Sequence, residues 1–212
     1  DDTPVYSLNT AAMTCDDGSW SPQIAVNGAT GEITGTPRNN DVGICSVTVV
    51  ATSGPHTISQ TFNITVTNVN DLPTWYTEVA DFSHPEETPL SGKMVSAVDV
   101  DVGQTPTYAL DLANMTCDDG AWAPTIAVNA TTGEITGTPQ HPDIGACTVR
   151  IAATSGVDVI YTQFTITVTP VNHLPTWVAT IPDFTHSTYV ALSVTAQATD
   201  IDAGDVIVYS LD

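Results

Sequence analysis

The chain repeats itself over a long period. NVNDLPTW at residues 68–75 returns as PVNHLPTW at 170–177, 102 positions later. YSLNTAAMTCDDGSWSPQIAVNGATGEITGTP (6–37) aligns without a gap to YALDLANMTCDDGAWAPTIAVNATTGEITGTP (108–139). The register holds through DVGICSVTVVATSG (41–54) against DIGACTVRIAATSG (143–156), then QTFNITVTNVN (60–70) against TQFTITVTPVN (162–172). A third copy opens at ATDIDAGDVIVYSLD (198–212), matching AVDVDVGQTPTYALD (97–111). A repeat of this length is a tandem array of small domains, each burying its own core.

The period cuts the chain unevenly. Residues 1–75 read as a repeat lacking its first strands, 76–177 as a complete repeat, and 178–212 as the first strands of a third. An orphaned body exposes an unpaired sheet edge and half a core. The expectation is a window on a longer tandem array, or a chain whose loose end strands complete a neighbouring copy. The missing initiator Met and signal peptide point the same way.

Within a repeat the pattern is β. CTVRIAAT (147–154) sets Cys147, Val149 and Ile151 on one face and Arg150 on the other, and FTITVT (164–169) alternates Phe164, Ile166 and Val168 with threonines. Asp-Gly and Thr-Gly turn signals recur and helical periodicity does not. About seven short strands per hundred residues predict an all-β fold of tandem immunoglobulin-like sandwiches.

Four cysteines keep the same spacing in both copies: Cys15 and Cys45, Cys117 and Cys147. Three pairings are possible, and one disulfide inside each repeat is the economical one. Such a loop closure contributes on the order of 3–4 kcal/mol and belongs to an oxidising compartment. Free buried thiols are the alternative; a zinc site at these cysteines lacks both CxxC spacing and a nearby histidine cluster.

Charge narrows the partners. With 24 acidic and 3 basic side chains, the formal net charge is −21. Nucleic acid and anionic membrane surfaces are poor partners for such a chain and cations are good ones. No apolar run approaches the roughly 20 residues of a bilayer-spanning helix.

TGEITGTP, then DxG, then VxxAT, then FxITVTxVNDLPTW resembles the dystroglycan-type cadherin-like repeats of large secreted proteins. More distantly, NVND followed by AVDVD is similar to the linker and DxD motifs of cadherins. That resemblance implies β-sandwiches in series whose junctions are rigidified by Ca2+. It carries Asn68, Asn70 and Asp71 of the first linker, with Asp99 and Asp101 of the following repeat, onto the metal positions, and Asp41 as a weaker sixth ligand. Asp41 reads equally well as an Asx turn capping DVG. The second junction draws on Asn172, Asp200, Asp202, Asp143 and Glu86.

Elementary chemistry agrees with such junctions. Calcium takes six to eight oxygens, which a short polar linker supplies, and Pro73 stiffens its exit. Asp99 and Asp101 would share a face of a regular strand and repel by roughly 1–3 kcal/mol without a cation. His173 stands where the first linker has Asp71, and an imidazole is a poor ligand for a hard cation. The second junction is therefore expected to hold calcium more weakly, in another geometry, or not at all. Ser53 and Ser155 replace a further cadherin carboxylate, so fewer ions per junction than the cadherin three are expected. DVDVGQTPTYAL begins like an EF-hand, yet its twelfth position is Leu110 and no helices flank it.

TCDDGSW (14–20) and TCDDGAW (116–122) pair carboxylates with a tryptophan. They read either as a glycan- or cation-binding tip or as a tight turn covered by Trp20 or Trp122. Trp75 and Trp177 are expected to pack across the junctions. Asn63, Asn114 and Asn129 head N-x-Thr sequons. No GxSxG, HExxH or phosphate-cradling loop occurs, so the chain reads as no enzyme. The resulting expectation is an extracellular or cell-surface stalk, adhesin or filament, advancing roughly 35–45 Å per repeat. Its partners would be neighbouring repeats, copies of itself, glycans or a cell-surface receptor. A carbohydrate-binding module is the alternative.

Overall fold

A computed structural model describes residues 2–16, 24–118 and 125–211. Each repeat is built on one long hairpin. Gly145–Ser155 pairs with Asp158–Thr169 from Gly145↔Val168 to Ser155↔Asp158, and Gly43–Ser53 pairs with His56–Val66 from Gly43↔Val66 to Ser53↔His56. Alternation of side chains decides which face goes inside. Val149, Ile151 and Ile166 are fully buried, and Phe164 and Val168 are 2% exposed. Arg150, on the opposite face, binds the Asp111 carboxylate at 3.0 Å and lies 3.9 Å over the Tyr161 ring.

Thr107–Leu110 and Thr116–Cys117 add to the outer side of Gly145–Ser155, and Phe82–Pro85 adds in parallel to Asp158–Thr169. A second layer joins Ile126–Val128, Glu134–Gly137 and Lys93–Met94, while Thr74–Thr77 pairs with Ser96–Val98. Leu90, Val95, Ile126 and Ile135 pack between the layers against the hairpin. Each such side chain contributes about 1.5–3 kcal/mol by leaving water. The result is a β-sandwich of the expected kind.

The buried cluster around the first hairpin is smaller: Ile24, Cys45 and Val47, with Leu8, Phe62 and Ile64 against it. Among the described residues, no strand stands there where Phe82–Pro85, Lys93–Met94 and Ser96–Val98 stand in the other repeat. Among the described residues from 178 onward the one strand is Ala198–Thr199, paired with Thr176–Trp177, and most positions are exposed. No helix among the described residues is long and apolar enough to cross a membrane.

Both disulfides lie inside repeats, Cys15–Cys45 and Cys117–Cys147. In each, the cysteines face one another directly across neighbouring strands. Asp16 and Asp118 follow these bridges and accept the N–H groups of Ile44 and Ala146 at 2.8 Å. The same carboxylates would stand 2.9 and 3.1 Å from a Cβ at Gly43 and Gly145, a crowded contact, and both glycines have positive φ. The first acid of each Cys-Asp-Asp run is therefore structural. Asp17, Trp20, Asp119 and Trp122 lie outside the described residues.

Trp75 packs 6.3 Å from Tyr108, against the core of the complete repeat that follows the linker. Trp177 and Tyr209 repeat the contact at 6.3 Å. Each indole thus sits in the strand that follows its linker, Thr74–Thr77 or Thr176–Trp177.

Candidate metal centres at the two linkers

The first linker is held by the DxD loop behind it. Strand Ser96–Val98 ends just before the loop, and the Asp101 N–H donates to Asp99 Oδ1 at 2.9 Å, folding the motif into an Asx turn. The pair therefore does not share a strand face, as sequence reasoning expected; its members are successive corners of one turn. Asp101 is 3% exposed, and its Oδ2 accepts the Asp71 N–H at 2.8 Å and Gln104 Nε2 at 3.3 Å. The Asp71 side chain reaches the preceding repeat, accepting Asn39 Nδ2 at 2.6 Å. Asn70 donates to the Asp158 carboxylate and accepts from Gln104 at 3.3 Å. Asn68 is exposed.

Asp41 is fully buried and, as the third residue of the 3-10 turn Asn39–Asp41, its Oδ2 reaches back to accept the Arg38 N–H at 2.6 Å, a capping-box bond rather than an Asx turn over DVG. Its other oxygen is left over. Asp41 Oδ1, Asp99 Oδ2, Asp101 Oδ1 and Gln104 Oε1 are all buried without a hydrogen-bond donor, as is Ser155 Oγ. Unpaired buried oxygens cost about 1–3 kcal/mol each, more when charged, and a hard cation is the partner that relieves them. The donor set fits calcium in kind. The carboxylates are not yet gathered, however: among the described residues, the groups of three or more potential ligands within 4.8 Å of one another both lie at the second linker.

The second linker repeats the backbone grip. The His173 N–H donates to Asp202 Oδ2 at 2.5 Å, the Asp202 N–H to Asp200 Oδ1 at 3.0 Å, and the Gln140 N–H to Asp143 Oδ2 at 2.6 Å. Asn172 bonds the His173 carbonyl at 3.0 Å. The side chains differ. His173 Nδ1 lies 3.1 Å from Asp202 Oδ1, and Nε2 lies 3.4 Å from Glu87 Oε2. His141 Nδ1 lies 3.0 Å from Glu86 Oε2, and the two imidazoles meet edge to face with centroids 5.8 Å apart. Glu86 is fully buried and its Oε1 accepts the Val171 N–H at 2.7 Å.

These contacts set the charges. The Asp202 hydrogen bond raises the His173 pKa above its ordinary value; partial burial opposes this and the Glu87 carboxylate adds to it. Asp202 is lowered, chiefly by the His173 backbone N–H and then by the imidazole. Glu86, His141, His173 and Asp202 offer ligand atoms within 4.8 Å of one another, as do Asp200, Asp202 and Asp205. A cleft of about 550 Å³ opens beside them between Val171, Asn172 and Asp205.

Of the residues expected at the second linker, Asp202 meets Glu86 in one group and Asp200 in the other; Asp143 is engaged as a cap and Asn172 with backbone. Sequence reasoning missed His141, Glu87, Gln104, Asn39 and Asp205. A signal for His141 existed, since the 102-residue offset aligns it with Asn39. The sequon residues Asn63, Asn114 and Asn129 are all exposed. Asn114 is tied to Asp111 at 2.9 Å, and Asn129 Oδ1 accepts two N–H groups of its own turn.

Residues 16–67 match the family model described as "Putative Ig domain". No curated protein matches the chain. The crystal structure of human mucin-like protocadherin EC1-2 is similar over 80% of this chain and 85% of that one, at 13% identity and TM-score 0.53. The protocadherin gammaB7 EC3-6 cis-dimer structure is similar over 95% of this chain, at 16% identity and TM-score 0.50; this chain spans 51% of that one. Sandwich, repeat and likeness together give the chain a cadherin-like immunoglobulin fold.

Proposed function

We propose that the chain is a mechanical segment of an extracellular tandem-repeat stalk, adhesin or filament, with repeats joined through linkers that Ca2+ stiffens. The repeat boundaries fall at 75/76 and 177/178. The observation that carries this reading is the set of buried, donorless oxygens at the first linker, on Asp41, Asp99, Asp101 and Gln104. They come from both sides of the linker, so a shared cation would couple one repeat to the next.

Asn70, Asp71, Asp99, Asp101 and Asp41 are the residues to hold that ion, with Asn68 at the rim. When bound, calcium supplies positive charge that cancels carboxylate repulsion. The chain's own part is orientation: Asp101 fixes the linker backbone and Asp99 fixes Asp101. At the second linker Asp200, Asp202 and Asp205 offer a smaller oxygen set, with Glu86, Asp143 and Asn172 nearby. Its natural partners are neighbouring repeats or further copies of the chain.

Calorimetric melting across a calcium titration tests this on wild type and on Asp71→Asn. A melting temperature that rises with calcium, and rises less in the variant, is expected. No response in either protein would overturn the calcium linker.

A further inference from the structure

We propose that the second linker is a site for a borderline divalent metal of the zinc class, held by Glu86, His141, His173 and Asp202. The proposal goes beyond the calcium reading: it uses none of the first linker's residues, and at the second linker it assigns Glu86 and Asp202 to the histidine-containing group rather than to the oxygen set of Asp200 and Asp205.

Two positions change together between the linkers. Where the first has Asn39 and Asp71, joined at 2.6 Å, the second has His141 and His173, their rings in contact. Both exchanges replace an oxygen-bearing side chain with an imidazole, at residues facing each other across the junction. A histidine used only as a spacer would not require its partner to change as well. The surroundings change too: His173 Nε2 is buried at this junction, 3.4 Å from Glu87 Oε2 and without a well-aligned hydrogen bond, where the first linker leaves carboxylate oxygens without a donor.

Four donors are available, two nitrogens and two carboxylate oxygens, all within 4.8 Å of one another. A tetrahedral zinc ion with bonds of about 2.0–2.2 Å needs donors roughly 3.4 Å apart. His141 and Glu86 already stand at 3.0 Å, and His173 and Asp202 at 3.1 Å. With all four ligand atoms within 4.8 Å of one another, closing the site asks the two pairs to approach by at most about 1.4 Å. Two imidazoles favour zinc, nickel or copper over calcium, whose six to eight oxygens are not offered by this quartet. The scaffold is prepared: Glu86 is fully buried and oriented by the Val171 N–H at 2.7 Å, and Asp202 by the His173 N–H at 2.5 Å. The four residues come from two neighbouring repeats, so an ion here would crosslink them.

The test is calorimetric titration of the 212-residue chain with zinc chloride in excess calcium, alongside the visible absorption of added cobalt(II), whose intensity reports four-coordinate geometry. One zinc per chain and intense cobalt bands are expected. His141→Asn and His173→Asp restore the residues that the first linker carries at the same places, so the fold tolerates them. Each is expected to weaken zinc at least about tenfold and to quench the cobalt bands, while His186→Ala changes neither. Zinc binding no tighter than calcium, binding untouched by both linker variants, or equal loss in His186→Ala would each overturn the proposal. Failure of the calcium linker reads out separately, as zinc binding without any calcium response.

Discussion

Asp101 holds Asp71 by its backbone, through an N–H···Oδ2 bond of 2.8 Å, and leaves the Asp71 carboxylate free to reach Asn39 in the preceding repeat. The same bond joins Asp202 to His173 at 2.5 Å. The grip on the linker is thus independent of the side chain that follows it, and that side chain can be exchanged to change the chemistry of the joint.

Asp101→Asn separates the grip from the charge. The amide oxygen still accepts the Asp71 N–H, so melting in chelator should stay within a few degrees of wild type. The calcium-induced rise in melting temperature should fall by more than half, because the buried Oδ1 loses its charge. Differential scanning calorimetry with and without calcium checks both parts.

Tyr108→Phe tests the core beneath the linker. The Tyr108 hydroxyl accepts the buried Ala97 N–H at 2.8 Å, beside the Trp75 ring. Deleting it strands that N–H and should destabilise the complete repeat by about 1–3 kcal/mol, measured by urea unfolding followed through tryptophan fluorescence.

Opening the Cys117–Cys147 bridge as a double serine variant releases a loop of sequence separation 30. The expected loss is about 3 kcal/mol, with thiol titration of the unfolded wild type giving no free cysteine. The matching change at Cys15 and Cys45 should act on the first repeat alone.

The His173–Asp202 pair predicts a pH window in metal-free protein. His173 is raised above 6.5, so its contribution is complete below that pH and is lost as pH rises through the higher folded value. Asp202 is lowered below 3.8, so its contribution is complete above that pH and is lost as pH falls through the lower folded value. The melting-temperature difference between wild type and His173→Gln should be largest between these limits and shrink on either side.

Much of this was legible because short-range pattern decides it. Cys147, Val149 and Ile151 alternate with outward residues, so the strand and its buried face follow from period two alone. The linker motif itself was legible from its repeat, and His173 stood out as the exception to it. His141 did not, since its meaning depends on Glu86, 55 residues away in the chain, and on a ring contact that no local pattern encodes. Asp99 and Asp101 misled for the opposite reason: a two-residue spacing suggests one strand face, but an aspartate side chain competes for the next N–H but one and ends the strand. Trp75 looked like a junction residue by position, and its partner Tyr108 lies 33 residues on, a contact that no local pattern encodes.

Phe82–Pro85 lies parallel to Asp158–Thr169, one soon after the first linker and the other running directly into the second. A pull applied through the two linkers draws these strands in opposite directions along their length. Every hydrogen bond of the ladder then resists at once in shear, and none can be unzipped in turn, so once Thr74–Thr77 has passed on the load this sheet edge acts as a clamp against traction.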